Sequence, residues 1–461
     1  MKKLLAYLQR EYQKKTPRSS MLFRRATRVM VRGGSHTLRL WKPYPFYPTS
    51  AAGARVTDID GNSYLDYWQG HYANILGHNP EIIRRALEPY VSRGLLHTGF
   101  ESSVQVELAE KLIASLRQRG LKIRFTTSGT LASTYAVMLA MGYTGREYVL
   151  KVGGGWHGAS PFLLKGVKFH PDQGFRAVDS AGLPADFSRK ILVTRFNDGQ
   201  HLSDIFKKYG HRLAAFIMEP FIGVGGFLFC SHEYLELARK LCHQYGVVLI
   251  FDEIISGFRF CASGLQTIYR VYPDISLFGK LIGGGQAVAA VAGRANIMEA
   301  CEHPARGKLR VHFEGGTFSA HEEYLRAGLA MLDYLEENEK EIYPGLGEQA
   351  EKLRRGIERV FREEGIEAVC TGYPGGSAEH SSFFMVNFPV KKVDYRTPED
   401  VWDPRRSNVE LREQALKLAL LINGVHVVHG GGCLSTAHTT EDVDRTIEAY
   451  AAAARIIRKY L

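Results

Sequence analysis

The sequence predicts an α/β protein: a large domain on a mostly parallel, doubly wound sheet, and a smaller α+β domain. Three observations predict it. Short apolar runs alternate with helical patterns from about residue 75 to 320. One of these runs, Val247 to Phe251, is continuously apolar and of strand length, as suits a strand buried on both faces. From Tyr324 the alternation gives way to long amphipathic helices. The division that follows is 1–74 as an N-terminal segment packing with the small domain, 75–322 as the large domain and 323–461 as the small one.

A chain of 461 residues is too long for one ordinary core, which fits two domains. With 45% hydrophobic and 23% charged residues it sits among globular proteins, and no apolar run reaches membrane-spanning length. The net charge of +11 raises nucleic acid as a partner, but the basic residues are spread along the chain and no recognition motif appears. An anionic substrate and cofactor account for part of the excess; the rest is solvated surface. Cys230, Cys242, Cys261, Cys301, Cys370 and Cys433 form no C-x-x-C, so neither a metal site nor a disulfide framework is expected. Free thiols point to the cytoplasm.

The first residues, Met1 to Ser20, read as a short basic amphipathic helix rather than a secretory signal, and Arg32 to Arg39 breaks any helix there. Ala54 to Tyr67 alternates around Asp60-Gly61-Asn62, a hairpin turn signal. Asn79 to Arg93 is helical with Pro80 at its start. Ser102 to Arg119 is predicted as a helix with Val106, Ala109, Leu112, Ile113 and Leu116 on one face.

Phe125-Thr126-Thr127 then runs into Ser128-Gly129-Thr130 at the start of an apolar helix. Free N–H groups, two hydroxyls and the positive helix end favour an anion such as phosphate, while a plain Ser/Thr cap is the simpler alternative. Glu147 to Val152 is a strand, followed by Gly153-Gly154-Gly155 and the aromatic pair Trp156-His157. Glycines there let backbone approach a ligand. Leu213 to Met218 is a strand ending in Glu219-Pro220, Ser231 caps a helix to Tyr245, and Ala287 to Ala292 is another buried strand. Beyond it, Tyr324–Glu337, Pro344–Glu364, Glu410–Asn423 and Asp442–Tyr460 are helices. Ser381–Pro389 and Gly424–His429 are strands, and Lys391–Ser407 is polar, proline-bearing and read as a loop.

The chemistry centres on two strand exits. Val247–Phe251 ends in Asp252-Glu253, and the short run Ile275–Phe278 ends in Gly279-Lys280. Ligands of open α/β sheets lie beyond the carboxyl ends of the strands. An amine and a carboxylate so placed suit pyridoxal phosphate, which needs a lysine for a Schiff base and an acid to keep its pyridine nitrogen protonated. The plainer alternative is that Asp252 caps a helix and Lys280 is a surface lysine.

From about Gly33 onward the chain resembles the class III pyridoxal-phosphate aminotransferases of fold type I, and within them the glutamate-1-semialdehyde 2,1-aminomutase-like branch. Eight motifs in order carry the resemblance: Asp58–Asn62, Ser128–Thr130, Trp156–Gly158, Glu219-Pro220, Asp252-Glu253 with Gly257–Arg259, Gly279-Lys280 with Gly283–Gly285, Gly316–Ser319, and Ala437–Thr439. The resemblance implies that Lys280 carries the cofactor and Asp252 partners its ring nitrogen. It implies that Trp156 and His157 stack on the ring, that Ser128, Gly129 and Thr130 cradle the phosphate, and that Glu219 belongs to the cofactor site. Thr317 would reach the phosphate of a neighbouring subunit, which implies a homodimer with shared active sites. Arg39 stands near the branch's arginine for the substrate carboxylate, a role a guanidinium fork suits. No metal is implied.

Four departures bear on the reaction. The family's Glu after Ser-Gly-Thr is Leu131, the aminomutase Asn is Val224, its Ser is Lys168, and its C-terminal acid falls at Gly430. An aminomutase must hold a diamine while both of its ends react. The loss of polar groups therefore favours an intermolecular aminotransferase, passing nitrogen from an amino acid or amine to a keto acid by ping-pong kinetics. The aminomutase, or a related isomerase, is the alternative. A non-catalytic cofactor-binding protein is a further one, against which the intact Asp252 and Lys280 speak.

Overall fold

The computed structural model describes residues 1–93, 99–302 and 309–460. A seven-stranded sheet forms its centre, in the order Leu121–Thr126, Ala289–Arg294, Ile275–Phe278, Val248–Asp252, Leu213–Met218, Tyr148–Val152 and Ile191–Thr194. From Ile275–Phe278 outward to Ile191–Thr194 every pairing is parallel. Ala289–Arg294 alone runs against both of its neighbours. The connection that precedes it explains the reversal. A parallel crossover needs about a dozen residues or more, and only 279–288 separate this strand from Ile275–Phe278. That short connection carries Lys280.

The strands Leu213–Met218 and Val248–Asp252 are buried along their whole length, as their unbroken apolar sequence requires. Helix Gly129–Thr144 packs on the sheet through Ala132, Ser133, Ala136, Val137, Leu139 and Ala140, mostly small side chains that permit close approach. It ends at Gly145, whose left-handed φ of 68° closes the last turn on Met141 O.

The helix predicted over Ser102–Arg119 spans Ser103–Ser115, and its buried row is Val104, Leu108 and Leu112, continued by Leu116. Val106, expected on the inner face, is 57% exposed. The buried row follows i, i+4 spacing, which leaves Val106 on the far side.

A second sheet joins the ends of the chain. Pro48–Ala52, Arg55–Asp58 and Ser63–Asp66 are antiparallel neighbours, and Val425–His426 adds to Ser63–Asp66 in parallel. The turn at Asp60-Gly61-Asn62 is tied by the Asp58 carboxylate, which accepts from Asp60 N at 2.9 Å and Asn62 N at 2.8 Å. A third sheet pairs Phe383–Asn387 with Val369–Thr371 and Gly431–Cys433. Helix Lys2–Lys15 buries Leu4, Leu8 and Tyr12 and packs against Lys417–Ile422.

The segment Lys391–Ser407, expected as a loop, contains the helix Pro398–Trp402. Its proline stands at the first helical position, where a missing N–H costs nothing, and Thr397 with Asp400 forms a capping box. All six cysteines are free, and among the described residues no helix is long and apolar enough to cross a membrane.

Candidate active site

The carboxyl ends of the parallel strands open on a cavity of about 460 Å³. Asp252 is the last residue of its strand, so its carboxylate emerges where the sheet ends. Its Oδ2 lies 2.8 Å from His157 Nδ1, and its Oδ1 accepts from Ile254 N at 3.1 Å. His157 is 2% exposed; burial lowers its proton affinity and outweighs the pull of Asp252. Its Nε2 has no partner among the described residues. The imidazole is positioned by the turn after Tyr148–Val152, where Gly154 has a φ of 83°. Gly155 leaves the ring room: a Cβ there would lie 3.0 Å from Nε2.

Glu219 follows Leu213–Met218 on the neighbouring strand and accepts from Trp156 N at 2.9 Å and Gly223 N at 3.0 Å. Burial, reinforced by Asp252, pushes its carboxyl up to about 8. Lys280 follows Ile275–Phe278, on the other side of the Asp252 strand, with a left-handed φ of 49°, a conformation that costs a non-glycine residue energy and is frequent at functional sites. Burial brings its ammonium down to about 8 against the attraction of Asp252 and Glu219.

Beyond the exit of Leu121–Thr126, Ser128 Oγ accepts from Leu131 N at 3.3 Å, as a helix cap does. Thr130 Oγ1 accepts from Ala159 N at 3.3 Å. Each hydroxyl accepts from the chain and keeps its own O–H to donate, so the helix start offers an anion these two hydroxyls and the N–H groups of Gly129 and Thr130. Gly158 keeps the two turns in contact, since a Cβ there would sit 2.3 Å from Thr130 Oγ1.

The cavity brings together Arg39, Ser128, Gly129, Thr130, Trp156, His157, Glu219, Asp252 and Lys280. Of the residues expected from sequence, only Thr317 does not line it; that side chain is exposed.

Two wall residues went unforeseen. Arg39 Nε donates to His71 Nε2 at 3.2 Å, and burial, with His36, Arg39 and Lys280 nearby, holds His71 down to about 3, so it stays a neutral acceptor. His71 belongs to a left-handed turn in which Gln69, Gly70, His71 and Tyr72 all have positive φ. Asp66 pins the start of that turn: it accepts from Trp68 N and Gln69 N, each at 3.0 Å, and bonds His78 and His426, each at 2.8 Å. Gly70 was the one signal in the sequence. His429 is the second, on a smaller cavity of about 70 Å³ that shares Lys280, His71 and Trp156 with the larger one.

A cavity of about 630 Å³ lies elsewhere, beyond the edge strand Ile191–Thr194, and none of the expected residues lines it. Its charges are largely spent on each other, Arg405 on Asp403 at 2.7 Å and Arg195 on Asp198 at 3.6 Å.

Residues 40–366 match the family model described as Aminotransferase class-III. A glutamate-1-semialdehyde 2,1-aminomutase from Thermoplasma acidophilum is 33% identical, covering 94% of this chain and 97% of its own. Among solved structures, an omega-transaminase from Sphaerobacter thermophilus superposes with a TM-score of 0.83 at 30% identity, covering 95% of this chain and 98% of its own. A transaminase with PLP bound superposes at 0.82 with 28% identity, covering 96% and 99%.

These likenesses correct the expected reaction. The intermolecular aminotransferase gives way to the aminomutase, the name borne by relatives 31–34% identical that the chain matches over 94% of its length. Some of the departures misled because they were weighed without geometry, although Val224 does line the smaller cavity. Lys168 and Leu131 do not line the cavity. At Gly430 a side chain is excluded, since its Cβ would meet Arg412 Cγ at 2.5 Å.

Proposed function

The chain belongs to the class-III aminotransferase family, and we propose that it is an aminomutase of that family, moving an amino group between neighbouring carbons of one small carboxylate-bearing substrate. Glutamate 1-semialdehyde, named for the relatives, is the substrate proposed. The observation that carries the reading is the meeting of Lys280, Asp252 and Arg39 on one cavity, in a chain 33% identical over nearly all its length to an aminomutase.

The cofactor is pyridoxal phosphate, and the residues fit it. His157 Nε2 is buried with no partner among the described residues, Gly129 and Gly158 keep a cradle open, and an acid and an amine line the same cavity. When bound, the cofactor supplies the electron sink that makes a hydrogen beside the substrate nitrogen acidic.

Lys280 would hold it through Nζ, and Gly129 and Thr130 would take its phosphate at the helix start. Asp252 would keep the ring nitrogen protonated. His157 and the Ile254 N–H fix that carboxylate so that neither oxygen swings away. Trp156 would flank the ring. Lys280 would also be the amine that accepts and returns the proton that transfer between adjacent carbons requires. Arg39, held at Nε by His71, presents its remaining N–H edge to the substrate carboxylate. Thr317, exposed and outside the cavity, would serve a second copy's site in a homodimer. A cytoplasmic setting suits six unpaired cysteines.

The test is to give the loaded enzyme glutamate 1-semialdehyde with no keto acid. Conversion to the isomer bearing nitrogen on the former aldehyde carbon is expected. Turnover that starts only when a keto acid is added would overturn the proposal.

A further inference from the structure

At the substrate end of the cavity, His429 is a polar group with no assigned work. His429 lines the small cavity together with Lys280, Val224, His71 and Trp156. Its Nδ1 lies 2.8 Å from Glu413 Oε2, and its Nε2 is enclosed with no partner among the described residues. A buried polar nitrogen without a partner carries a desolvation cost that a ligand group can remove. Its backbone is also left-handed, with a φ of 57°. Glycine would be the comfortable residue there; histidine is present instead.

We propose that His429, fixed by Glu413, holds the second nitrogen of the substrate by accepting a hydrogen bond from it at Nε2. This rests on the amino-migration reading, because only a substrate that carries two nitrogens in passing needs such a contact.

The tautomer follows from the neighbours. The buried Arg412 guanidinium, its Nε 2.9 Å from Glu413 Oε1, favours the ionised carboxylate. An ionised carboxylate only accepts, so Nδ1 carries a proton toward Glu413 and Nε2 is the nitrogen left facing the cavity. An acceptor in a cavity otherwise supplied with Lys280, His71 and Arg39 selects an N–H donor. The acid missing at position 430 is thereby answered: Glu413 stands one hydrogen bond behind the cavity, and the histidine ring relays it to the wall. Trp402 braces both sides, its ring edge-on to His429 at 5.4 Å and its Nε1 donating to Val224 O at 3.0 Å.

The experiment compares 2,3-diaminopropionate with alanine, which lacks the second nitrogen, by titrating each into the loaded enzyme and following the visible absorbance of the cofactor. The wild type is expected to prefer the diamine at least tenfold. His429→Phe should bring the two within twofold with alanine affinity unchanged, and His429→Gln, which keeps an acceptor, should retain part of the preference. In Glu413→Gln the ring stays, but the amide can donate to Nδ1 and turn Nε2 into a donor, so the preference should fall there too. Glu413 is a positioning residue, and this fall without loss of alanine binding separates it from a merely structural one. No preference in the wild type, an undiminished preference in H429F or E413Q, or equal weakening of both ligands overturns the proposal. Because binding is read without turnover, a failed migration assay would leave this result independent.

Discussion

The two ends of the cavity are built on different principles. At the cofactor end, Asp252, Glu219, His157 and Lys280 follow neighbouring strands of one sheet, and their spacing is set by strand separation. At the substrate end, Arg39 and His71 of the larger cavity and Val224 and His429 of the smaller one come from four separate stretches, two of them in left-handed backbone. A sheet edge supplies constant chemistry; turns borrowed from both ends of the chain supply what can vary. The contrast explains how relatives called aminomutases and a transaminase structure share this architecture. It also makes the cofactor end the place where a single change does most damage.

The largest effect is expected from Lys280→Ala. Turnover should drop by on the order of 10³-fold or more, the upper range for losing a positioned acid–base group, and the visible absorbance of the loaded lysine should vanish. Asp252→Asn should come next. A neutral amide still fits between His157 and Ile254 N but cannot hold a proton on the ring, so kcat should fall by about 10²-fold or more with cofactor still bound. Retained activity in either variant would erase the distinction between the two ends.

A pH series sharpens the same comparison. An amine must shed its proton before it can take up an aldehyde, and burial has moved Lys280 down from 10.5 to about 8. Cofactor uptake by the apo-protein should therefore climb about tenfold per pH unit and level off near 8, Glu219 titrating together with it. An unshifted lysine would keep climbing to pH 10. Gly158→Ala should have the smallest effect. Its Cβ would press on Thr130 Oγ1 at 2.3 Å from a backbone with φ of 76°, which costs about 1–3 kcal/mol. Thermal unfolding with and without cofactor should show the loss, larger in the loaded form.

Legibility from sequence divides along the same line. The strand exits could be read because buried parallel strands leave an unbroken apolar run, and the polar residue that ends it is by geometry at the ligand edge. Asp252 and Lys280 needed nothing further. Arg39 was visible only through resemblance. His71 was hidden because a left-handed run with three non-glycine residues has no periodic signature, and its support, Asp66, looks like an ordinary strand terminus. His429 was obscured by Gly430, where the missing acid drew attention away from the ring beside it. Val106 failed for a simpler reason: several faces of that helix carry apolar residues, and only packing decides which turns inward.

The bond between Asp66 and His426 spans 360 residues. A ribosome adding about 5–20 residues per second needs roughly 20–70 s to cover that distance. For that interval the strand Ser63–Asp66 has no partner on its open side, and the turn bearing His71 lacks one of its four anchors. Newborn chains are thus committed to finishing the pocket last, and a shortened C-terminus would spoil the mouth of the site while sparing the central sheet.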